Sequence, residues 1–388
     1  MMVDVVSKRE CVGCKACGDI CPVNAITFPE DQEGFWSPAI DLDVCIECDK
    51  CESACLVLSR RDRGNKSQPD VLSTINRDEQ IRYDSTSGGL YPALASAFLE
   101  SGGWIIGCAF TPDMQGAEFI ASSSRDGLSR IMRSKYFQAD TAGIYATTKR
   151  LLEQGERVLF SGCPCQVQAL YCFLGEEYAN LLTVDFICLG INSPLAYRAF
   201  ISELENEHHS PVKEVRFKDK SAGWTQLGTK IVFQNGEEEF HGKDSDPWVN
   251  AYVVGKLMVR PSCTACPCKG FPRVADLSFG DFWGIALSKE DMRKGVSVAL
   301  INNERGRSLL EESRDMLEVM RYTLEDAVGG NPALVRSVDR GQDAEEFFER
   351  IHYEPYSSVV WDLVGRRKRL GLLGRIVSKM RSIADKLR

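Results

Sequence analysis

The stretch that decides the fold of the first part of the chain is residues 11–22, which read CVGCKACGDICP. Residues 45–55 repeat the pattern as CIECDKCESAC, with Leu56 in the place of Pro22. Each copy holds four cysteines in eleven residues at C-x2-C-x2-C-x3-C spacing. Three thiolates this close can wrap one face of a cubane cluster, while the fourth reaches the other cluster. The repeat therefore predicts two 4Fe-4S clusters.

Because the fourth cysteine of each copy binds the cluster of the other copy, the eight cysteines form two sets of ligands. The first set is Cys11, Cys14, Cys17 and Cys55, and the second set is Cys21, Cys45, Cys48 and Cys51. Structural zinc is the alternative, but zinc is bound by two C-x2-C pairs per ion rather than by this denser spacing. We predict a ferredoxin-type domain of the bacterial dicluster class over residues 1–60. A polar linker follows over residues 61–80, because Gly64, Pro69 and several charges lie there.

The composition of the chain indicates a cellular compartment and argues against nucleic acid as a general partner. The 388 residues include 16 cysteines. No charged-then-apolar leader precedes Cys11, and no apolar run reaches the roughly 18 residues that span a bilayer. Clustered thiols in such a chain favour metal binding in a reducing, cytoplasmic setting. The net charge of −8 argues against general nucleic-acid binding.

Beyond the linker, helical and strand patterns alternate. Helices are predicted at residues 90–100, at residues 144–154 and around Val167 and Leu170, since their apolar residues recur at helical spacing. Strands are predicted at residues 104–110 (WIIGCAF), 157–160 (RVLF) and 181–187 (LLTVDFI). Alternation of this kind predicts a mainly parallel sheet, in which ligands bind beyond the carboxyl ends of the strands. We therefore predict a mixed α/β domain over residues 81–345.

Cysteines follow two of these strands. Cys163 and Cys165 lie directly after the strand that ends at Phe160, and Cys188 follows the strand that ends at Ile187. Farther on, RPSCTACPCKG (residues 260–270) supplies a C-x2-C pair at Cys263 and Cys266. One cysteine from each loop together with this pair would complete a third cluster. The alternative is buried structural thiols, which is our interpretation of Cys108 and Cys172.

Several short motifs in the body carry a family resemblance. They are STSGGL (residues 85–90), SKYFQ (134–138), GCPCQVQAL (162–170), DFICLGINSP (185–194), FKDKSAGW (217–224) and ADLSFGDFWG (275–284). Over residues 80–330 the chain resembles the family of beta subunits of the coenzyme F420 hydrogenases and dehydrogenases. The resemblance implies an FAD-containing iron–sulfur oxidoreductase. It also implies Cys165, Cys188, Cys263 and Cys266 as ligands of a third 4Fe-4S cluster. Cys163 and Cys268 are additions, and either could replace its neighbour.

The glycine-containing motif before the helix at residue 90 suggests where a flavin binds. A helix N-terminus with glycines can accept an anion such as a pyrophosphate. With the resemblance, we predict flavin phosphate contacts at Ser87, Gly88 and Gly89, although an ordinary helix cap has the same sequence. Lys135 and Tyr136 of SKYFQ are predicted to add a cation and a stacking ring, with a surface turn as the alternative. The sequence does not identify catalytic residues.

Taken together, clusters and flavin predict an oxidoreductase that couples one-electron transfer to hydride exchange between FAD and a small organic substrate. Coenzyme F420 is one candidate substrate, and a ferredoxin-like protein is the expected electron donor or acceptor. One alternative is a subunit that delivers electrons to a separate catalytic partner, for instance in polysaccharide synthesis. The other alternative is a structural or sensing iron–sulfur protein.

The C-terminal segment, residues 346–388, is predicted to form a basic amphipathic helical tail. Residues 366–388 hold nine Lys or Arg against one Asp, and apolar residues recur there at helical spacing. A helix with a basic polar face binds anionic bilayers from the side. The pattern predicts peripheral contact with the inner face of the membrane, with docking on the protein's own core or on an acidic partner as the alternative.

Overall fold

A computed structural model describes residues 6–226 and 228–366 of the chain. Thirteen strands form three sheets within these ranges. They are β1 (Ile26–Thr27), β2 (Ala39–Ile40), β3 (Asp70–Asn76), β4 (Trp104–Phe110), β5 (Ala117–Ser122), β6 (Val158–Gly162), β7 (Leu181–Phe186), β8 (Val212–Phe217), β9 (Gly228–Phe233), β10 (Glu238–Gly242), β11 (Leu277–Asp281), β12 (Ser297–Ile301) and β13 (Leu317–Tyr322).

The main sheet has eight strands in the order β13-β3-β12-β11-β7-β6-β4-β5. The neighbours β4–β6, β6–β7 and β7–β11 are parallel, and the other four pairs are antiparallel. The prediction of a mainly parallel sheet is therefore right only for its middle. On the β5 side the flank is antiparallel because a short connection returns the chain beside β4, whereas a parallel pair needs a longer crossover. On the other side β3 pairs antiparallel with β12 and β13, which lie more than 200 residues away in sequence.

The helices cover both faces of this sheet. The α-helices are α1 (Ala16–Asp19), α2 (Lys50–Ser53), α3 (Glu79–Asp84), α4 (Leu90–Glu100), α5 (Arg125–Ile131), α6 (Ile144–Glu153), α7 (Pro164–Leu174), α8 (Pro194–His208), α9 (Pro247–Val249), α10 (Lys289–Lys294), α11 (Glu304–Glu312), α12 (Leu324–Gly330) and α13 (Ala344–Arg350). A π-helical turn (Asn250–Gly255) and short 3-10 turns lie among them, including one at Pro261–Ala265. Residues 356–366 are also helical.

Alternation along β6 shows how the layers form. Val158 and Phe160 belong to the larger core, together with residues of α6 and α7. Leu159 points to the opposite face and packs with residues of α4, α5 and α11. All three side chains are fully buried, as expected for the central strand of a sheet covered on both faces. The helices and strands predicted between residues 90 and 187 are confirmed at these positions.

The segment predicted as a linker differs from the expectation. Residues 70–76 form β3, which is hydrogen-bonded to both β12 and β13 inside the main sheet. Arg63 is also fixed to the body, because its guanidinium pairs with the fully buried Asp276 at 3.0 Å. The reason is that DVLSTIN has no regular alternation of apolar and polar residues, and its strand pairs with segments more than 200 residues away.

The boundary of the C-terminal tail also needs correction. Phe347, Phe348 and Tyr356 are buried in the larger core, together with Val360 and Leu363 of the last described helix. Residues 346–366 are therefore part of the packed body rather than of a separate tail. The basic amphipathic stretch predicted for membrane contact lies outside the described residues from position 367 onward. Within residues 6–226 and 228–366, no helix has the length and apolar character needed to cross a bilayer.

The ferredoxin-type domain docks on the body through buried polar contacts. Arg260 is 1% exposed, and its guanidinium donates to the carbonyl oxygens of Cys11 and Trp36 and to the side-chain oxygen of Gln138, each at 2.9 Å. The carboxylate of Asp19 accepts backbone N–H groups at the start of α6, 2.7 Å from the nitrogen of Gly143. Helix N-termini favour such anions. These contacts hold one side of the ferredoxin-type domain against the body.

Candidate iron–sulfur and flavin site

The first set of cysteines comes together in the structure. Cys11, Cys14, Cys17 and Cys55 line one small cavity in the ferredoxin-type domain. Burial raises the pKa of the Cys14 thiol well above its usual range, and the neighbouring thiols of this set raise it further. Such mutual repulsion between thiolates is removed when they share a cation or a cluster. The donor set therefore fits the iron–sulfur cluster that the spacing predicts.

The second set lies nearer the solvent. Cys48 is exposed, and Cys21, Cys45 and Cys51 are partly buried. Backbone N–H groups donate to two of these sulfurs, from Ala25 to Cys21 at 3.3 Å and from Glu47 to Cys45 at 3.4 Å. N–H groups directed at cysteine sulfur are one of the means by which a protein tunes an iron–sulfur cluster. The second predicted cluster would therefore lie at the outer end of the domain.

In the body, a second cavity collects the remaining cysteines of the predicted sites. Cys165, Cys188, Cys263 and Cys266 all line it, and so does Cys268. Cys165 lies in the first turn of α7, directly after β6, and Cys188 follows the end of β7. Because β6 and β7 are parallel neighbours, their carboxyl ends meet at this edge of the sheet. The four thiols implied by the family resemblance are thus placed around one cavity, which fits a third cluster.

The two additional cysteines are close to this cavity. Hydrogen bonds with Cys165 and then with Cys188 raise the pKa of the Cys163 thiol, and the bond with Cys163 lowers the pKa of Cys188. A similar bond from Cys268 lowers the pKa of Cys266 to about 6. Cys163 is thus adjacent to Cys165 and Cys188, and Cys268 is adjacent to Cys266, so each additional cysteine is placed to replace a neighbour. In the described residues, no three ligand side chains converge as they would around a single metal ion.

Two cationic side chains, those of Lys269 and Arg273, line the cavity. The ammonium of Lys269 donates to the carbonyl oxygens of Cys188 and Ala333, at 2.5 and 2.6 Å. Arg273 is fully enclosed and forms an ion pair of 2.8 Å with Asp185 on β7. The charge of Arg273 is balanced by Asp185, so it is the ammonium of Lys269 that offsets the negative charge of clustered thiolates in a medium of low dielectric constant.

The cavity in the body and the cavity in the ferredoxin-type domain are neighbours. Val12 lines both of them. Tyr145, which is fully buried, lies close enough to both Cys14 and Cys165 for each to raise its pKa, although burial is the larger cause. The structure therefore places the first set of cysteines beside the third site, with the second set farther out.

The predicted flavin loop has a different local role. The hydroxyl of Ser87 donates to the carbonyl oxygen of Val296, and the N–H of Gly88 donates to the hydroxyl of Ser297, both at 2.8 Å. Gly89 precedes α4 with φ of +84°, a left-handed conformation that favours glycine. The loop thus packs between β3 and β12, and the space beside Gly88 is filled by the protein's own backbone.

Replacing Gly88 with alanine is expected to destabilise the fold by about 1–3 kcal/mol, the usual cost of overpacking. An added Cβ would lie 2.4 Å from the carbonyl oxygen of Thr74 and 2.5 Å from the nitrogen of Ser297. Gly329→Ala is the control, since nothing lies within 4 Å of its Cβ position. The free energy of unfolding of both variants is measured by urea denaturation. Equal stability of the two would contradict this packing, and loss of flavin from a Gly88 variant would not by itself report a flavin contact.

The two residues of SKYFQ also face inward. The ammonium of Lys135 donates to the carbonyl oxygens of residues 130–133 at the end of α5, between 2.7 and 3.3 Å. Burial lowers its pKa to about 8. The ring of Tyr136 packs against Phe217 and Tyr252, with centroids 5.7 and 5.6 Å away. Lys135 therefore caps a helix, and Tyr136 belongs to an aromatic cluster that reaches toward the cysteine cavity through Tyr252.

A polar pocket beside these residues has the donors that a phosphate requires. Its lining includes the hydroxyl-bearing residues Ser85 and Thr86 of the STSGGL motif and four cationic residues from two other motifs or their flanks, together with Asp84 and Asp219. The cations are Arg133, Arg216, Lys218 and Lys220. Burial lowers the pKa of Lys220 to about 7, and its ammonium donates to backbone carbonyls of residues 82, 87 and 294. Arg133, Arg216 and Lys218 already form ion pairs with Asp84, Glu214 and Asp281, so a phosphate bound here would compete with these carboxylates. The pocket is too small to enclose a dinucleotide.

Sequence reasoning missed several residues of this region. FKDKSAGW was used only for the family resemblance, yet it supplies Lys218 and Lys220. Arg260 opens the RPSCTACPCKG stretch, but nothing in the local pattern shows that it reaches the ferredoxin-type domain. Val12 and Tyr145 are ordinary core residues by sequence, and only their position between two cysteine sets makes them relevant.

Comparison with known families agrees with both parts of the chain. Residues 155–325 match the family of the coenzyme F420 hydrogenase/dehydrogenase beta subunit, in its C-terminal part. Residues 10–58 match the 4Fe-4S dicluster domain family.

Three individual proteins illustrate how similar this chain is to known proteins. The F subunit of the F(420)H(2) dehydrogenase of Methanosarcina mazei is 21% identical over 82% of this chain and 86% of its own length. The 7Fe ferredoxin of Hydrogenibacillus schlegelii is 45% identical over 54 residues, which are 13% of this chain and 63% of that protein. A chain from the F420-reducing [NiFe] hydrogenase complex of Methanosarcina barkeri superposes with a TM-score of 0.47 at 15% identity, covering 80% of this chain and 93% of the other.

Proposed function

The chain belongs to the family of coenzyme F420 hydrogenase/dehydrogenase beta subunits and carries a 4Fe-4S dicluster domain, and from that premise we propose that it is an FAD-dependent iron–sulfur oxidoreductase. It is an iron–sulfur electron-transfer protein related to F420 hydrogenase and dehydrogenase subunits. The finer proposal is that it couples one-electron transfer to hydride exchange with a small organic substrate, for which coenzyme F420 is the leading candidate. When bound, FAD supplies exchange of a hydride or of single electrons, and 4Fe-4S clusters supply single-electron transfer.

One observation carries this proposal: the two cysteine cavities share Val12, and the inner one lies at the edge of the sheet where β6 and β7 end. Ligands of α/β sheets bind at such edges. We assign Cys165, Cys188, Cys263 and Cys266 to a third cluster. Lys269 would balance part of the charge of such a cluster, and its bonds to the carbonyl oxygens of Cys188 and Ala333 hold the surrounding backbone.

The flavin assignment is revised in detail. We propose that Arg133, Arg216 and Lys218 bind the FAD phosphates, with Ser85 and Thr86 supplying hydroxyl donors. Ser87, Gly88 and Gly89 then act by shaping the loop that carries Ser85 and Thr86. Lys135 acts by ending α5, so that the segment beginning at Arg133 turns into the pocket. Tyr136 is placed to close the apolar side of the site.

Neutralising Arg216 is expected to weaken FAD binding about tenfold, since a charge-assisted hydrogen bond to phosphate contributes roughly 1.5–3 kcal/mol. Arg216→Gln removes a cation that lines the pocket, whereas Lys213→Gln removes an exposed cation on the same strand that does not line it. The FAD affinity of both variants is measured by fluorescence titration with flavin after anaerobic purification. Equal flavin affinity of the two variants would contradict the assignment.

Iron, sulfide and flavin content of the anaerobically purified protein tests the whole proposal. We expect about twelve irons and one FAD per chain. Iron-replete protein without flavin would overturn it. The second candidate function is delivery of electrons to a separate catalytic partner protein, which the name of the M. mazei relative, a dehydrogenase subunit, favours. Turnover of reduced coenzyme F420 with an artificial acceptor and no added protein would exclude that candidate.

A further inference from the structure

The second set of cysteines lies beneath an exposed face that combines apolar and acidic side chains. We name residues 41–52 the acidic face. Leu42, Val44 and Ile46 on this face are 66%, 44% and 59% exposed. Three large apolar side chains exposed within five residues are unlike the scattered single apolar residues of an ordinary surface, and such patches mark contact sites.

Charge surrounds these apolar residues. Residues 41–52 contain five carboxylates and one lysine, which gives a net charge of −4. Asp43 and Glu47 are exposed on either side of Cys45. An apolar centre with a charged rim is the usual anatomy of a protein–protein interface. The single sign of the rim indicates a partner of opposite charge.

The face is already formed in this structure. The side chain of Asp41 accepts the N–H of Asp43 at 3.0 Å, and the carbonyl oxygen of Asp41 accepts the N–H of Cys45 at 3.0 Å. Residues 50–53 then continue as α2. A partner therefore meets a fixed turn, and binding does not require the ordering of a loop.

The position of the face relative to the cysteines gives the kind of partner. Cys48 is the one exposed cysteine of the sixteen, all of which lie in the described residues. Cys14 and Cys17 of the first set are enclosed, and the side of the domain that carries Cys11 and Cys14 docks on the body through Arg260 and Thr141. Electrons can therefore enter or leave the dicluster domain most directly beneath the acidic face.

We propose that the acidic face is the docking site of a separate electron-transfer protein whose own redox group is surrounded by Lys and Arg. This inference rests on the iron–sulfur part of the proposed function and not on the flavin. It narrows the ferredoxin-like partner expected from the sequence to one with a cationic docking face. Cys21, Cys45, Cys48 and Cys51 would hold the outer cluster, and in each encounter one electron would pass between it and the partner's redox group, one being oxidised as the other is reduced.

Binding of a cationic cytochrome c to the full-length, iron-loaded protein tests the proposal. The variant Asp43→Asn/Glu47→Gln is expected to raise Kd about tenfold at low salt, with the difference vanishing at high salt as charges are screened. Leu42→Ser/Ile46→Ser is expected to speed dissociation about tenfold, because interface substitutions act mainly on dissociation. Glu311→Gln/Glu349→Gln is the control, since it removes the same charge from exposed positions outside the face.

Electron transfer gives a second readout. After reduction by dithionite, one cluster electron reduces one ferric haem, and the second-order rate constant is expected to fall in parallel with binding. Iron content and flavin content are expected to stay unchanged in these variants. The docking proposal does not depend on the flavin, so it would remain valid if the protein proved to bind no FAD. The proposal is overturned if both face variants bind like the control. It is also overturned if deletion of residues 367–388 strengthens binding tenfold or more, because the basic tail would then be the natural occupant.

Discussion

Arg260→Met is expected to destabilise the protein by roughly 3–5 kcal/mol and to release iron from the first cysteine set. Arg260 is buried between the ferredoxin-type domain and the body, and it donates to Cys11, Trp36 and Gln138. Removing it leaves three buried acceptors without a donor, each of which costs about 1–3 kcal/mol. Because Cys11 is one of these partners and a predicted ligand, its backbone position depends directly on Arg260.

The matched control is Arg198→Met. Arg198 also joins the two parts of the chain, through an ion pair of 2.6 Å with Glu30, but both side chains are more than one third exposed. An exposed ion pair of this kind contributes about 0–1 kcal/mol. Anaerobic urea denaturation followed by circular dichroism and by cluster absorbance measures both variants. If Arg260→Met loses no more stability than Arg198→Met, the docking account is wrong.

The second large effect is expected for the inner cysteine cavity. Cys188→Ser removes one of the four predicted thiolate ligands, and this variant is predicted to lose about four of about twelve irons unless another thiol replaces Cys188. The hydrogen bond between Cys163 and Cys188 means that Cys163 is placed to take over. The double variant Cys163→Ser/Cys188→Ser is therefore the decisive one, and it is expected to lose the third cluster completely.

Cys108→Ser provides the matched control for this experiment. Cys108 is a partly buried thiol on β4 that does not line the cavity, so this variant is expected to keep its full iron content. Iron and sulfide analysis with electron paramagnetic resonance of the reduced protein would separate the three clusters. Full iron content in the double variant would show that the cavity holds no cluster.

Local features of the fold were predictable because they depend on short stretches of sequence. The helix at residues 90–100 and the strand at residues 104–110 are each formed by one run of suitable residues, and both are confirmed. The segment containing β3 was not predicted, since its strand character depends on partners more than 200 residues away in β12 and β13. The helices after residue 344 were assigned to a tail for the same reason, because their buried faces are decided by packing against the body.

The two cysteine sets of the ferredoxin-type domain are predicted from sequence alone, because three ligands of each set lie within eleven residues and this spacing is a local property. The sequence also predicted that Cys165 and Cys188 come shortly after strands, although Cys165 lies in the first turn of α7 and not in a loop. The positions of Cys163 and Cys268 beside one cavity, and of Gly88 against the protein's own backbone, become visible only in the folded chain. Those contacts join residues far apart in sequence, and burial and packing select them.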